Sequence, residues 1–286
     1  MSDIFMNPIE YLPRLPLGEW VDSFIDWLLF HLGTVTRFIS NFLEGIMGGI
    51  TDALMWFPPF ILILLISLIA WRFSNRGVAI FTFLGLTLIY NMQLWLPALS
   101  TITMILIAVT ISICIGLPVG IISTRSPIFH RIVWPILDFM QTMPAFVYLI
   151  PAVFFFRLGV VSAMIATVVF STPPVIRLTG LGIRQVSEEV VEAAQAFGST
   201  DWQLLTKVQL PLAMPTIMAG VNQCIMLALS MVVIAAMIGA GGLGGHVYGA
   251  IQRLNIGLGF ESGLAVVILA IILDRITQSS KEREEE

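Results

Sequence analysis

A small set of polar side chains stands inside stretches that are otherwise apolar, and their types suit the handling of a polar solute. Asp138 lies within a long apolar run, followed by Gln141 and Tyr148. At 100° per residue these two lie roughly 300° and roughly 280° around a helix from Asp138, so they share a flank. Asn222, Gln223 and Ser230 add two amides and a hydroxyl from a later apolar run. Ionisable groups in such places are costly to bury and mark functional positions. The same residues would also serve as interhelical hydrogen bonds that hold a bundle together. Both readings stay open for all six.

Other chemistries find little support. His31, His130 and His246 are scattered without metal-ligand spacing. Cys114 and Cys224 both lie in apolar runs, where buried small hydrophobes are expected in preference to a disulfide or metal site. Gly239-Ala-Gly-Gly-Leu-Gly244 fits a dinucleotide-binding pattern, but it follows an apolar helix instead of a strand and reads as a tight or re-entrant turn. The sequence has no phosphate-binding G-x-x-x-x-G-K-[ST] and no His, Asp and Ser constellation at usable spacing, which argues against an intramembrane enzyme.

The elements that hold these residues follow from the solvent the chain demands. It has 286 residues, of which 57% are hydrophobic and 11% charged. Soluble domains carry about 25% charged residues, so lipid must replace water over much of the surface. Charge-free runs at 53–71, 77–124, 158–176 and 208–252 are long enough for helices, and closed barrels would need short alternating segments instead. With the break at Asn91–Pro97, a run at 132–156 holding Asp138, and a last run at 257–274, about seven spans are expected. Pro135, Pro144 and Pro151 should kink the fourth of these. No cleavable signal peptide is read at the start, which carries Pro8, Pro13 and Pro16.

Residues 20–50 follow a different pattern. Asp22, Asp26, Gly33, Arg37, Ser40, Asn41 and Glu44 fall on one helical face, opposite Trp20, Phe24, Trp27, Leu28, Val35, Phe38 and Phe42. That pattern suits an amphipathic helix lying in the interface, with an eighth span as the alternative. The expected division is an extension over 1–52, two peripheral helices over 53–95, a core over 96–276 and a charged tail over 277–286. Basic residues set the orientation. Arg72, Arg76, Arg125, Arg131, Arg177, Arg184 and Lys207 fall in loops on one side, expected to be cytoplasmic together with the C-terminus, and the N-terminus is expected outside.

One long polar segment, Ser187 to Pro211, reads as two short helices joined by a turn. Ser187 precedes two glutamates as an N-cap, Gly198 ends the first helix, and Ser199, Thr200 or Asp201 caps the second. Leu204, Leu205 and Val208 form one apolar face, and Pro211 closes the unit. A half-apolar helical hairpin between two spans is a docking surface.

Glu192-Ala193-Ala194, Gly198 and Val208-Gln-Leu210-Pro211 resemble the EAA signature of ABC importer permeases, with Val208 in place of the usual isoleucine. Asp138-Phe-Met-Gln141-Thr-Met-Pro144, the stretch Lys207 to Gln223 and the ending at Asp274-Arg275 resemble the glycine betaine/proline branch of that family, so the likeness runs over about residues 95–276. The resemblance implies an all-α polytopic membrane protein with the type I (MetI-like) importer permease fold, in a bacterial plasma membrane. It implies a coupling segment at 186–211 in which Glu192, Ala193, Ala194 and Gly198 contact an ATPase, with Val208, Leu210 and Pro211 leading back to the membrane. It further implies a homodimer, two copies of an ABC ATPase that hold ATP and Mg, no cofactor on this chain, and a separate extracytoplasmic solute-binding protein. Nucleic acid has no place in it. The pathway would carry a compatible solute such as glycine betaine or proline under osmotic stress. The rival reading is an ion-coupled secondary transporter with Asp138 or Glu261 as the coupling site.

Overall fold

The computed structural model describes residues 16–278, so most of the expected tail and the proline-rich start lie outside the described residues. All regular structure in them is helical: α1 (Leu17–Trp56), α2 (Pro59–Phe73), α3 (Arg76–Asn91), α4 (Trp95–Arg125), α5 (Pro127–Thr142), α6 (Leu149–Phe156), α7 (Val160–Arg184), α8 (Glu188–Ala196), α9 (Asp201–Gln203), α10 (Leu210–Ala235), α11 (Gly242–Gln252) and α12 (Ile256–Gln278). A π-helical stretch, Leu204–Gln209, joins α9 to α10 without a break.

The expected apolar runs all fold as helix, but they do not all make full spans. Among the described residues four are long and apolar enough to cross a bilayer, namely α4, α7, Asp201–Ile238 and α12. Two bent pairs, α1 with α2 and α5 with α6, raise the number to six if each counts as one span. At 16 residues α3 rises only about 24 Å, short of the hydrocarbon thickness. The run 53–71 is not one helix. It is divided by Phe57-Pro58, because the residue before a proline disfavours helical backbone, and α2 leaves α1 at 104°.

α7 is the innermost element, with 72% of its apolar window buried. It packs against α4 on one side and α10 on the other. Lipid gives no hydrophobic reason for helices to associate, so close van der Waals approach must do so. Gly120 supplies it on α4, where an added Cβ would stand 2.7 Å from Thr179 Cβ. Gly220 supplies it on α10, 3.0 Å from the Pro174 carbonyl by the same construction. Between them Ser112 Oγ donates to the Val168 carbonyl at 3.3 Å and lies 3.2 Å from Ser171 Oγ, with Cys224 buried alongside. Cys114, expected to be buried, is exposed instead, as a residue on the lipid-facing side of α4 would be. A second apolar cluster, with Ile63, Leu86, Ile89 and Leu269 at its centre, joins α2, α3 and α12.

The turn Gly239–Gly242 carries three glycines at positive φ, which fits its reading as a tight turn. It is followed by α11, a separate short helix within the charge-free run 208–252. Leu243 N donates to Thr101 Oγ1 of α4 at 2.9 Å, pinning the start of α11.

Gly120→Val should overpack the α4–α7 contact and destabilise the bundle by about 1–3 kcal/mol. The measurement is thermal unfolding in detergent, with Gly245→Ala as control, because nothing lies within 4 Å of a Cβ at Gly245.

Candidate functional site

The hairpin at 186–211 is built from local hydrogen bonds. Ser187 occupies the N-cap position of α8, but its hydroxyl makes no capping bond. Gly198 ends the helix at φ 80°, and the two bonds Gly198 N to Gln195 O (2.9 Å) and Ser199 N to Ala194 O (3.1 Å) complete a Schellman closure. Thr200 then opens α9 with a capping box. Its Oγ1 accepts from Gln203 N at 3.3 Å while its own N–H donates to Gln203 Oε1 at 3.0 Å.

No residue of α8 is buried, so Glu192 and Ala193 are exposed, with Ala194 half-buried and Gly198 open to solvent. The mounting lies beneath. Leu205 packs with Ile183 of α7 and Ala213 and Ile217 of α10. Arg125, the last residue of α4, donates from Nη2 to the Asp201 carbonyl at 2.8 Å. Val208 and Leu210 are half-buried and Pro211 is exposed. Pro211 does not close the unit, as was expected of it. It is the second residue of α10 with helix on both sides, and the π-helical stretch directly before it leaves room for the proline ring. The chain from Asp201 to Ile238 therefore runs as one helix of 38 residues, its hydrogen-bond register changed by the π-helical stretch and by a closing 3-10 turn at Ala236–Ile238.

Two aromatic residues of this hairpin escaped the sequence reading. Phe197 is 92% exposed and Trp202 69% exposed, on either side of the Gly198 turn. The signal available was their presence in a short polar segment whose apolar face was already supplied by leucines.

The intramembrane polar residues are arranged differently from the single-helix expectation. The run 132–156 breaks after Thr142, and α5 meets the following helical segment at 113°. Of the three prolines only Pro144 breaks the chain, with Met143 before it extended at ψ 136°. Pro144 has no N–H for the carbonyl of Met140. Tyr148 Oη donates to that carbonyl instead. Tyr148 is buried and packs edge-on against Phe170, with ring centroids 5.5 Å apart. It therefore shares no flank with Gln141, which is exposed on the other side of the break.

Asp138 forms an ion pair with Arg177. Arg177 was expected in a loop, but α7 continues to Arg184 and carries it as part of the helix. Trp134 lies beside the pair, with the Arg177 and Arg184 guanidinium carbons 5.7 Å and 5.0 Å from its ring centroid. Asn222 Oδ1 accepts from Thr277 Oγ1 of α12 at 3.1 Å, while Gln223 is exposed. Ser230 Oγ donates back to the Met226 carbonyl of its own helix at 3.0 Å. Among the described residues none of the six candidates hydrogen-bonds to another of the six, and no group of three or more His, Cys, Asp or Glu could hold a metal.

Comparison with known proteins gives this arrangement a family. Residues 116–282 match the family model described as binding-protein-dependent transport system inner membrane component. The chain is 51% identical over 276 residues to the glycine betaine transport system permease protein OpuAB of Bacillus subtilis, covering 96% of this chain and 98% of that one. It is 48% identical over 265 residues to the glycine betaine/proline betaine transport system permease protein ProW of Escherichia coli, covering 93% of this chain and 75% of the relative. In fold it resembles the MetNI methionine ABC transporter in an inward facing conformation. The TM-score is 0.58 at 23% identity, over 67% of this chain and 94% of the solved one. The chain belongs to the family of binding-protein-dependent transport system inner membrane components, and it is an ABC importer permease subunit.

Tyr148→Phe leaves the Met140 carbonyl unpaired at the break, and should destabilise the protein by about 1 kcal/mol. Thermal unfolding in detergent measures it. Gly198→Val forces a branched side chain to positive φ and should loosen the hairpin by about 1–2 kcal/mol. The readout is faster amide exchange across 188–203 with the bundle helices unchanged.

Proposed function

We propose that this permease moves glycine betaine or a closely related compatible solute, such as proline or proline betaine, inward across a bacterial plasma membrane. The names of its relatives at 48% and 51% identity over nearly the whole chain carry the substrate class. The exposed hairpin carries the mechanism. Its outer face is free and its inner face is fixed to α4, α7 and α10, so a partner that grips α8 and its turn moves those three helices together. The partner is an ABC ATPase, two copies serving a homodimer of this permease, with ATP and Mg held on the ATPase. A separate extracytoplasmic binding protein delivers the solute at the opposite end.

Phe197 and Trp202 are the anchors of this docking, because large, exposed, rigid side chains at the tip of a hairpin are the residue types that dominate interface energies. Glu192, Ala193, Ala194 and Gly198 shape the surface around them. The hairpin end is cytoplasmic. Arg125, Arg184 and Lys207 gather there, and they still outweigh the basic residues of the alternate loops after Arg177 is withdrawn from the loop set. The N-terminus then lies outside. Helix α1 extends about 60 Å, twice the hydrocarbon thickness, and meets α2 at 104°. A helix of that length at that angle to a span lies along the interface, with its aromatic face in the lipid.

Co-purification with the partner ATPase tests the reading. Phe197→Ala and Trp202→Ala should each weaken the complex about 10–100-fold, and Glu192→Lys should disturb it without unfolding the permease. Uptake by this chain alone, driven by an ion gradient and indifferent to these substitutions, would overturn it.

A further inference from the structure

The charged cluster on α5 and α7 has features that neither docking nor packing requires. The Trp134 ring is flanked by Arg177 and Arg184, and by His130 with ring centroids 4.2 Å apart. Asp138, one turn further along α5, pairs with Arg177, and its side chain is 61% exposed against 27% for the arginine. Arg177 Nε is buried without a hydrogen-bond partner. One carboxylate thus faces one guanidinium, that of Arg177, which has a donor to spare, while Arg184 Nη1 lies 3.4 Å from His130 Nδ1. An aromatic face already holds a delocalised cation. The Asp138 carboxylate is open to a solute while the Arg177 guanidinium beneath it is largely buried.

The geometry points to a site for a zwitterion at Trp134, Asp138 and Arg177. The quaternary ammonium replaces the Arg177 guanidinium between the Trp134 ring and the Asp138 carboxylate, and the displaced guanidinium takes the carboxylate of the same molecule. The exchange is nearly balanced: each ion of the resting pair gains a new partner as it loses the old one. A solute with both charges opens the pair, whereas a lone anion leaves Asp138 without its partner and a lone cation strands the largely buried Arg177 guanidinium, where unpaired charge is expensive. The ring prefers a trimethylammonium because that cation is large, weakly hydrated and attracted to the negative face of an indole. The site deepens the proposed function and rests on its substrate class.

The test uses the assembled permease–ATPase complex labelled with fluorotryptophan, with the Trp134 resonance identified by its loss in Trp134→Phe. Glycine betaine at tens of millimolar should shift that resonance. Its uncharged-head isostere tert-butylacetate, of the same shape but without the positive charge, should not. In proteoliposomes containing the binding protein, Trp134→Leu should lower glycine betaine accumulated per ATP hydrolysed by roughly tenfold, while Trp134→Phe, which keeps an aromatic face, should lose no more than about threefold. Equal shifts for the two solutes, no shift for either, or normal accumulation in Trp134→Leu would overturn the site while leaving a wild type that still accumulates glycine betaine. A wild-type complex that accumulates no glycine betaine at all would remove the substrate reading, and the site with it.

Discussion

The close approach of α7 to α4 and α10 is the constraint on which the other features rest. In lipid the apolar side chains of these helices gain nothing by turning inward, so they are held by packing distance and a few buried polar contacts. Gly120 and Gly220 bring backbone to backbone range, and the Ser112–Ser171 contact sits between the same helices. The hairpin is mounted on this three-helix unit and on nothing else of comparable rigidity. Leu205 enters the wedge between α7 and α10, and Arg125 ties the start of α9 to α4. A displacement at the hairpin is therefore a displacement of the unit.

The continuity of Asp201–Ile238 has a mechanical meaning of the same kind. A loop between the hairpin and the bundle would absorb motion, and a continuous helix transmits it. The π-helical stretch is where the helix is wound more widely. It lies beneath α8 and just before Pro211, where a wider turn relieves the clash of the proline ring with the preceding carbonyls.

Charge inside the bundle is managed by pairing across elements. Asp138 and Arg177 are 39 positions apart in the chain and come from different helices, and the arginine lies largely buried, where an isolated charge would be unfavourable. The pair is only partly buried and is flanked by an indole, which keeps it open to exchange in a way that a deeply buried bridge is not.

The membrane as solvent, the all-helical class, the positions of most helices and the helical hairpin at 186–211 were legible in the sequence, because each depends on local information. Hydropathy sums over a window, and Gly198 and Thr200 act on residues three to five positions away. The EAA-like pattern by itself also points to the family. Tertiary structure decided what depends on partners distant in sequence. Pro135, Pro144 and Pro151 look alike in the chain, yet only Pro144 breaks it, at a place where Tyr148 supplies the donor that the freed Met140 carbonyl needs. Arg177 read as a loop residue because arginine ends an apolar run, but α7 continues past it once Asp138 balances its charge. Tyr148 and Gln141 shared a flank only on a helix that does not exist, and Phe197 and Trp202 stand exposed because the leucines beside them had already taken the buried face. In each case the deciding interaction was made by a side chain the local pattern could not see.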